Sequence, residues 1–342
     1  MVDPRIDEFL RTREIVEIHS SRESREAVAE VSAAALVLCL MTVWKLVRLF
    51  SRTRGLTLRT AFWWSFCAQW VLTLSVAGRL FFPDSGAAWH SAASYLSATL
   101  LLTPLIVILG ARRPGIDAWR WFVVLPLTVV LQWPAAAQLL HGVRREPLEI
   151  GTPAIIGVLL ILVMGGGNYF GTGFTGPACL LSAGIVLQLL PVSGWISDPS
   201  SLPLWSPVLI FIAVQLTESR LHWQVHEIQN TSDRTARVDR VWSLFRDLYG
   251  IVWAKRVMDR VNVFARRENW ARELTLDGFV PPQSESHSAS TGMASAGPVT
   301  EAELTREIDV MCWVMRRFAD SEWLQQHFGE TPRAISESHS DS

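Results

Sequence analysis

The residues of this chain best suited to chemistry are one glutamate and two histidines that follow its last long apolar segment. Glu218, His222 and His226 are spaced four residues apart, so a helix would carry all three on one face. Two histidines at this spacing can share a metal ion. The sequence contains no H-E-x-x-H motif and offers no identifiable third strong ligand. The three residues therefore define a candidate metal site, while no catalytic residue and no cofactor are predicted.

A glycine-rich run offers a second chemical interpretation. Gly171, Gly173 and Gly176 match the pattern G-x-G-x-x-G, and three consecutive glycines at 165–167 precede them. The dinucleotide-binding version of this pattern requires a strand before it and a helix after it. Apolar segments long enough to be membrane spans flank the run on both sides, so we interpret it as a compact connector between two helices.

Other kinds of chemistry find no support in the sequence. There is no G-x-S-x-G motif, and the only lysines are Lys45 and Lys255, which excludes a retinal-type Schiff base in the last span. The four cysteines are isolated and indicate neither a disulfide framework nor a thiolate metal site. A net charge of −1 gives no electrostatic reason to expect a nucleic-acid partner.

The elements that must position these residues are those of a membrane protein. Only 18% of the 342 residues are charged, against about 25% in an average soluble domain. Residues 61–217 contain long stretches without an ionisable side chain, while both ends of the chain are densely charged. A charge is costly in hydrocarbon and tolerated among headgroups. The pattern therefore predicts an all-α, polytopic integral membrane helical bundle, with the lipid bilayer as its surroundings and a small C-terminal cytoplasmic helical region.

About seven spans are predicted from the apolar segments of the bundle at 31–217. A segment of 22 residues reaches about 33 Å as a helix, which is enough for a hydrocarbon core of about 30 Å. The predicted spans are 31–50, 61–82, 91–110, 121–140, 154–170, 178–195 and 202–217.

Basic residues in the connecting segments predict the orientation. The end of the first span and the segment after it carry five of them, whereas the segment at 83–90 has none. Because positive charge accumulates on the cytoplasmic side, we expect the N-terminus outside and the C-terminus inside. The expected location is the cytoplasmic membrane of a bacterium-like cell. The five basic residues are Lys45, Arg48, Arg52, Arg54 and Arg59.

The segments outside the bundle are predicted from their own patterns. Residues 1–30 form a charged amphipathic helix, 218–280 a cytoplasmic helical segment, 281–299 a flexible Ser/Ala/Gly-rich linker, and 330–342 a disordered tail. Residues 300–329 form an amphipathic helix that begins with a capping box at Thr300 and Glu303 and ends near Gly329. Helical spacing places apolar residues in a stripe on each side of the linker. The stripes are Val238, Val241, Phe245, Leu248 and Val252, and Leu304, Ile308, Met311, Cys312, Met315 and Phe318.

Three functional hypotheses follow, and the first is a non-enzymatic assembly or docking component. Its cytoplasmic helices would contact a protein partner, because their stripes can dock a helix as well as pack on each other. The second is a carrier or channel for a neutral or lipidic substrate. Spans two to seven contain no Asp or Glu, which argues against an ion-coupled carrier. The third is a membrane metalloenzyme that uses His222 and His226.

Overall fold

The chain is all-α, as predicted, and about 80% of it is helical. The computed structural model describes residues 4–83, 85–110, 117–141, 148–196, 202–281 and 300–329. The helices that we number α1 to α7 form the bundle, and α8 to α10 follow it. Their bounds are α1 Pro4–Arg52, α2 Arg59–Phe81, α3 Ala87–Leu109, α4 Asp117–Leu140, α5 Thr152–Gly167, α6 Thr175–Leu189, α7 Ser206–Asn230, α8 Arg234–Arg267, α9 Glu301–Met315 and α10 Ser321–Phe328.

Four helices are long and apolar enough to cross a membrane, so the predicted count of seven spans is not confirmed. They are Glu26–Ser51 within α1, Ala87–Leu109, Thr175–Val192 and Leu202–Asn230. The apolar parts Val124–Leu140 and Thr152–Gly167 are shorter. Helix α2 has 23 residues, but it carries Gln69 and three tryptophans and is not among the four.

Two helices are longer than the spans predicted within them. Helix α1 runs for 49 residues without interruption, so the predicted N-terminal helix and the first span are one element. Helix α7 continues 13 residues beyond the predicted end of the last span, to Asn230. The helix therefore continues through residue 217 without a break. The candidate metal residues Glu218, His222 and His226 lie on this continuation of α7.

Helix α3 lies at the centre of the bundle, in contact with α2, α4, α5 and α6. Pro104 interrupts its hydrogen-bond ladder, because proline has no N–H to donate to the carbonyl four residues earlier. That carbonyl belongs to Leu100, and it accepts the Thr103 hydroxyl at 2.6 Å instead. The local bond keeps the polar group satisfied where water is scarce.

The helices after α7 pack together as a C-terminal unit, which comprises residues 233–281 and 300–329. Side chains cap the start of each helix: Asp233 for α8, Thr300 for α9 and Asp320 for α10. Gly329 ends α10 in a left-handed conformation with φ of 78°, as expected for a C-terminal glycine. The predicted capping box is half formed, since Thr300 accepts the Glu303 N–H while the Glu303 carboxylate accepts the Ala271 N–H.

The C-terminal unit differs from the prediction in two places. A short antiparallel hairpin, β1 Glu273–Thr275 with β2 Gly278–Val280, lies inside the segment predicted to be helical. The segment 300–329 is two helices rather than one, because the chain turns between α9 and α10. The predicted linker at 281–299, apart from Pro281, and the predicted tail at 330–342 lie outside the described residues.

Candidate functional site at the bundle junction

The predicted metal residues do not assemble into a ligand set. His222 and His226 are exposed on α7, with ring centroids 6.5 Å apart. Glu218 is buried and forms an ion pair with Lys45 of α1 at 2.8 Å. Within the described ranges, no group of three His, Cys, Asp or Glu side chains is close enough to hold a metal ion. The metal site thus stays a prediction without a third ligand.

The glycine-rich run forms the connector between α5 and α6 and faces the C-terminal unit. We call residues 165–176 the glycine turn. Gly171 has φ of 78°, a conformation that favours glycine. A Cβ at Gly173 would lie 2.3 Å from a carboxylate oxygen of Asp247 on α8. The two glycines therefore serve a tight turn and a close helix contact.

Asp247 is the buried centre of this contact, and its side chain is fully shielded from solvent. The carboxylate accepts the Gly173 N–H at 3.0 Å and the Gln224 amide of α7 at 2.6 Å. The Arg246 guanidinium, at 3.3 Å, supplies the positive charge. A buried carboxylate needs such partners, because an unpaired one is strongly disfavoured. Asp247 thus joins the glycine turn, α7 and α8.

Asn168 makes a second link by entering a kink in α8. Gly250 interrupts the helix with φ of 78° and ψ of 176°. The Asn168 side chain donates to the Tyr249 carbonyl at 3.0 Å and accepts the Val252 N–H at 3.0 Å, and its backbone carbonyl accepts the Ile251 N–H at 2.8 Å. One residue of the glycine turn therefore replaces hydrogen bonds that α8 loses at the kink.

Further hydrogen bonds join the C-terminal unit to the turn before α2 and to the end of α3. The Tyr249 hydroxyl bonds to the Phe318 carbonyl at 2.7 Å and to the Thr57 hydroxyl at 3.0 Å. The Trp253 indole donates to the Ile108 carbonyl at 2.9 Å, in the last turn of α3. We call this whole contact between the bundle and the C-terminal unit the junction.

An apolar cavity of about 200 Å³ lies beside the junction. Its walls come from the adjacent ends of α1, α2, α3 and α6, from the middle of α7, from the glycine turn, and from Leu248 of α8. Among the described residues that line it, only Ser65, Tyr169 and Thr217 have side-chain polar atoms. We call it the junction cavity. Its lining suits a hydrocarbon chain and has no charged group to recognise an ion.

Both apolar stripes predicted for the C-terminal unit are largely buried within the chain. Phe245 and Tyr249 of α8 stack at 4.8 Å, and Phe318 packs edge-on against both. Cys312 lies in the same core, where burial raises the pKa of its thiol to about 12. The thiol therefore stays protonated and is a poor nucleophile.

The chain matches no protein-family model, no curated protein and no solved structure.

Sequence reasoning missed the junction, although part of its signal was visible. Asp247 gives no such signal, because at helical spacing it points away from the apolar stripe that contains its neighbour Leu248. Gly250 interrupts an otherwise helical pattern, which is a recognisable sign of a kink. The partners of both residues come from the glycine turn, more than 70 residues earlier, and helical periodicity carries no information about such distant contacts.

Proposed function

We propose that this chain binds a lipidic, uncharged ligand group in the junction cavity, as part of a carrier for a lipidic substrate. The observation that supports this proposal is the lining of the cavity, which is almost wholly apolar and includes helix ends from across the bundle. A void of about 200 Å³ exceeds the roughly 150 Å³ of an apolar cavity known to hold a benzene-sized molecule. Filling it with a hydrocarbon chain restores dispersion contacts that an empty wall lacks.

The position of the cavity connects ligand binding to the C-terminal unit. Leu248 lines the cavity and directly follows Asp247, which holds the glycine turn. Phe174 and Tyr169 of the glycine turn line it as well. A ligand that fills the cavity would therefore contact Tyr169, Phe174 and Leu248, which lie where the bundle meets α8. This geometry favours a carrier whose substrate occupancy is sensed at the junction.

Cavity-filling variants test the binding step. We expect Ala178→Phe and Ala213→Phe, both at buried wall positions, to abolish retention of one lipid. Ala34→Phe is the control, because Ala34 is exposed on α1 and lies outside the cavity. The measurement is native mass spectrometry of the detergent-purified chain with added dioleoyl phosphatidylcholine. An unmodified chain that retains no lipid at saturation would contradict the proposal, even if the variants did not fold.

The carrier step needs a separate measurement. We expect proteoliposomes of the unmodified chain to move a fluorescent phosphatidylcholine between leaflets faster than empty vesicles do. The Ala34→Phe control should keep the rate and Ala178→Phe should lower it. Lipid binding without movement would restrict the proposal to a lipid-binding protein.

A docking component remains the second candidate, and one observation favours it. The junction fixes the C-terminal unit against the bundle through Asp247, Asn168 and Tyr249, as a scaffold for a partner would require. The apolar stripes no longer support docking, because the chain itself covers most of their residues. Cross-linking of the full chain in native membranes tests this candidate. Links from a partner to residues 233–329 would support it, and links confined to the bundle would count against it.

The metalloenzyme hypothesis ranks last. It rests on His222 and His226 alone, because Glu218 is engaged by Lys45. Metal analysis of the purified chain, with His222→Ala as the comparison, tests it. A stoichiometric metal that the variant loses would restore the hypothesis.

A further inference from the structure

An arginine-lined cleft in the C-terminal unit lies apart from the junction cavity and shares none of its lining residues. Its volume is about 500 Å³. One wall is a face of α8 after the kink, and the other is the end of α9 and the turn that follows. We call it the arginine cleft. Its lining includes Trp253, Arg256, Arg260, Trp313 and Arg317.

The three arginines of the cleft are exposed and lack carboxylate partners. Within the described part of the chain, no Asp or Glu oxygen lies within 4.0 Å of Arg256, Arg260 or Arg317. The nearby acid on the same helix, Asp259, pairs with Lys255 at 3.7 Å. Three uncompensated guanidinium groups around one space produce a positive field that attracts phosphate.

Aromatic rings hold two of these arginines in place. The Arg256 guanidinium lies 4.7 Å from the centroid of the Trp253 ring, and that of Arg260 lies 5.6 Å from Trp313. Cation–π contacts of this kind leave the N–H groups at the edge of the guanidinium available for an anion. The cleft therefore presents preformed donors beside indole rings.

The cleft lies at the level where a membrane helix ends. Trp253 donates to the carbonyl of Ile108, and α3 ends one residue later at Leu109. At 1.5 Å per residue, this bond lies within about one helical turn of the end of the membrane-crossing segment. Tryptophan and arginine side chains are typical of this headgroup region.

We propose that the arginine cleft binds the phosphate of an anionic phospholipid in the leaflet that the C-terminal unit faces. Charge complementarity selects a phosphate, and the position at the end of α3 selects one attached to a lipid. The junction cavity needs no charge on its ligand, whereas the cleft requires one, so the two sites differ in the lipid they prefer.

Titration of the full chain in detergent with phosphatidylglycerol and with phosphatidylcholine tests this proposal by native mass spectrometry. We expect a clear preference for phosphatidylglycerol. The combined change Arg256→Gln, Arg260→Gln and Arg317→Gln should weaken that binding at least about tenfold. The matched control is Lys255→Gln, Arg267→Gln and Arg316→Gln, which removes three exposed positive charges outside the cleft and should change binding far less.

Three outcomes would overturn the proposal. The first is equal binding of both lipids by the unmodified chain, which needs no variant. The second is an equal loss in the control. The third is full displacement of the lipid by millimolar glycerol phosphate, which would identify a site for a soluble anion. Retention of phosphatidylcholine by Ala178→Phe is measured separately, so failure of the cavity proposal and failure of this one are distinguishable.

Discussion

At the scale of single residues, Asp247 shows how a charge is held where the bundle meets α8. Its carboxylate meets a backbone N–H, a glutamine amide and a guanidinium, and it has no contact with solvent. All of these partners are donors, and none of them requires a ligand. Asp247 is therefore a structural acid, and its cost of burial is offset by fixed hydrogen bonds.

We expect Asp247→Asn to lower the free energy of unfolding by about 1–3 kcal/mol. The asparagine amide nitrogen is a donor, and it would replace a carboxylate oxygen that accepts a hydrogen bond from Gly173 or Gln224. The control is Asp277→Asn, which removes the other carboxylate partner of Arg246. Asp277 is 93% exposed, so its loss should cost no more than about 0.5 kcal/mol. Thermal unfolding of both variants in one detergent gives the comparison. Equal unfolding midpoints for the two variants would mean that the buried hydrogen bonds of Asp247 do not contribute to stability.

At the scale of elements, α8 consists of two helical segments that meet at a kink at Gly250. A Cβ there would lie 2.1 Å from the side-chain amide nitrogen of Asn168 and 2.6 Å from the backbone carbonyl oxygen of the same residue. A φ of 78° combined with a ψ of 176° is a conformation that glycine alone adopts readily, and it adds strain of about 1–3 kcal/mol for any other residue. Both effects act on the same link between the glycine turn and α8.

We expect Gly250→Ala to break the hydrogen bonds between Asn168 and α8 and to lower the free energy of unfolding by more than about 2 kcal/mol. Gly157→Ala in α5 is the matched control, because a Cβ there would meet nothing within 4 Å. Alanine is also the better helix former, so the control should be neutral or slightly stabilising. Thermal midpoints report the difference, and a tolerated Gly250→Ala would show that Asn168 can withdraw.

The elements also show where sequence reasoning succeeds and where it fails. Capping at Thr300 and termination at Gly329 are local effects, and the structure confirms both. The hairpin at 273–280 was missed because its stability comes from partners elsewhere: Asn262 pairs with the backbone of Leu274, and Trp242 donates to the Thr275 carbonyl. The stripe residues were identified, but periodicity could not tell whether another part of the chain or a partner covers them.

At the scale of the whole molecule, one buried ion pair ties the first long helix to the last helix of the bundle. Lys45 of α1 and Glu218 of α7 are 173 residues apart in sequence, and each side chain is only 10% exposed. The sequence predicts separate roles for them, Lys45 as one of the basic residues that indicate the orientation and Glu218 as a candidate metal ligand. Their pairing is a property of the assembled bundle and could not be predicted from either segment.

We expect Lys45→Met and Glu218→Gln to lower stability individually, by up to about 3–5 kcal/mol, because each removes one side of a buried ion pair. The double variant should cost less than the sum of the two. The control is the exposed pair Lys255 and Asp259, for which single changes should cost about 0–1 kcal/mol. Thermal unfolding of the four variants and the two doubles measures the coupling. Additive losses at Lys45 and Glu218 would contradict it.

The insertion of Asn168 into α8 also has a consequence for dynamics. The N–H groups of Ile251 and Val252 are donated to Asn168 rather than to the carbonyls of their own helix. Neither proton can exchange with heavy water until the glycine turn has withdrawn from α8. The rate of amide hydrogen exchange at these two positions therefore measures how often the glycine turn separates from α8. Any ligand that stabilises the junction should slow it, while amides elsewhere in α8 keep their own rates.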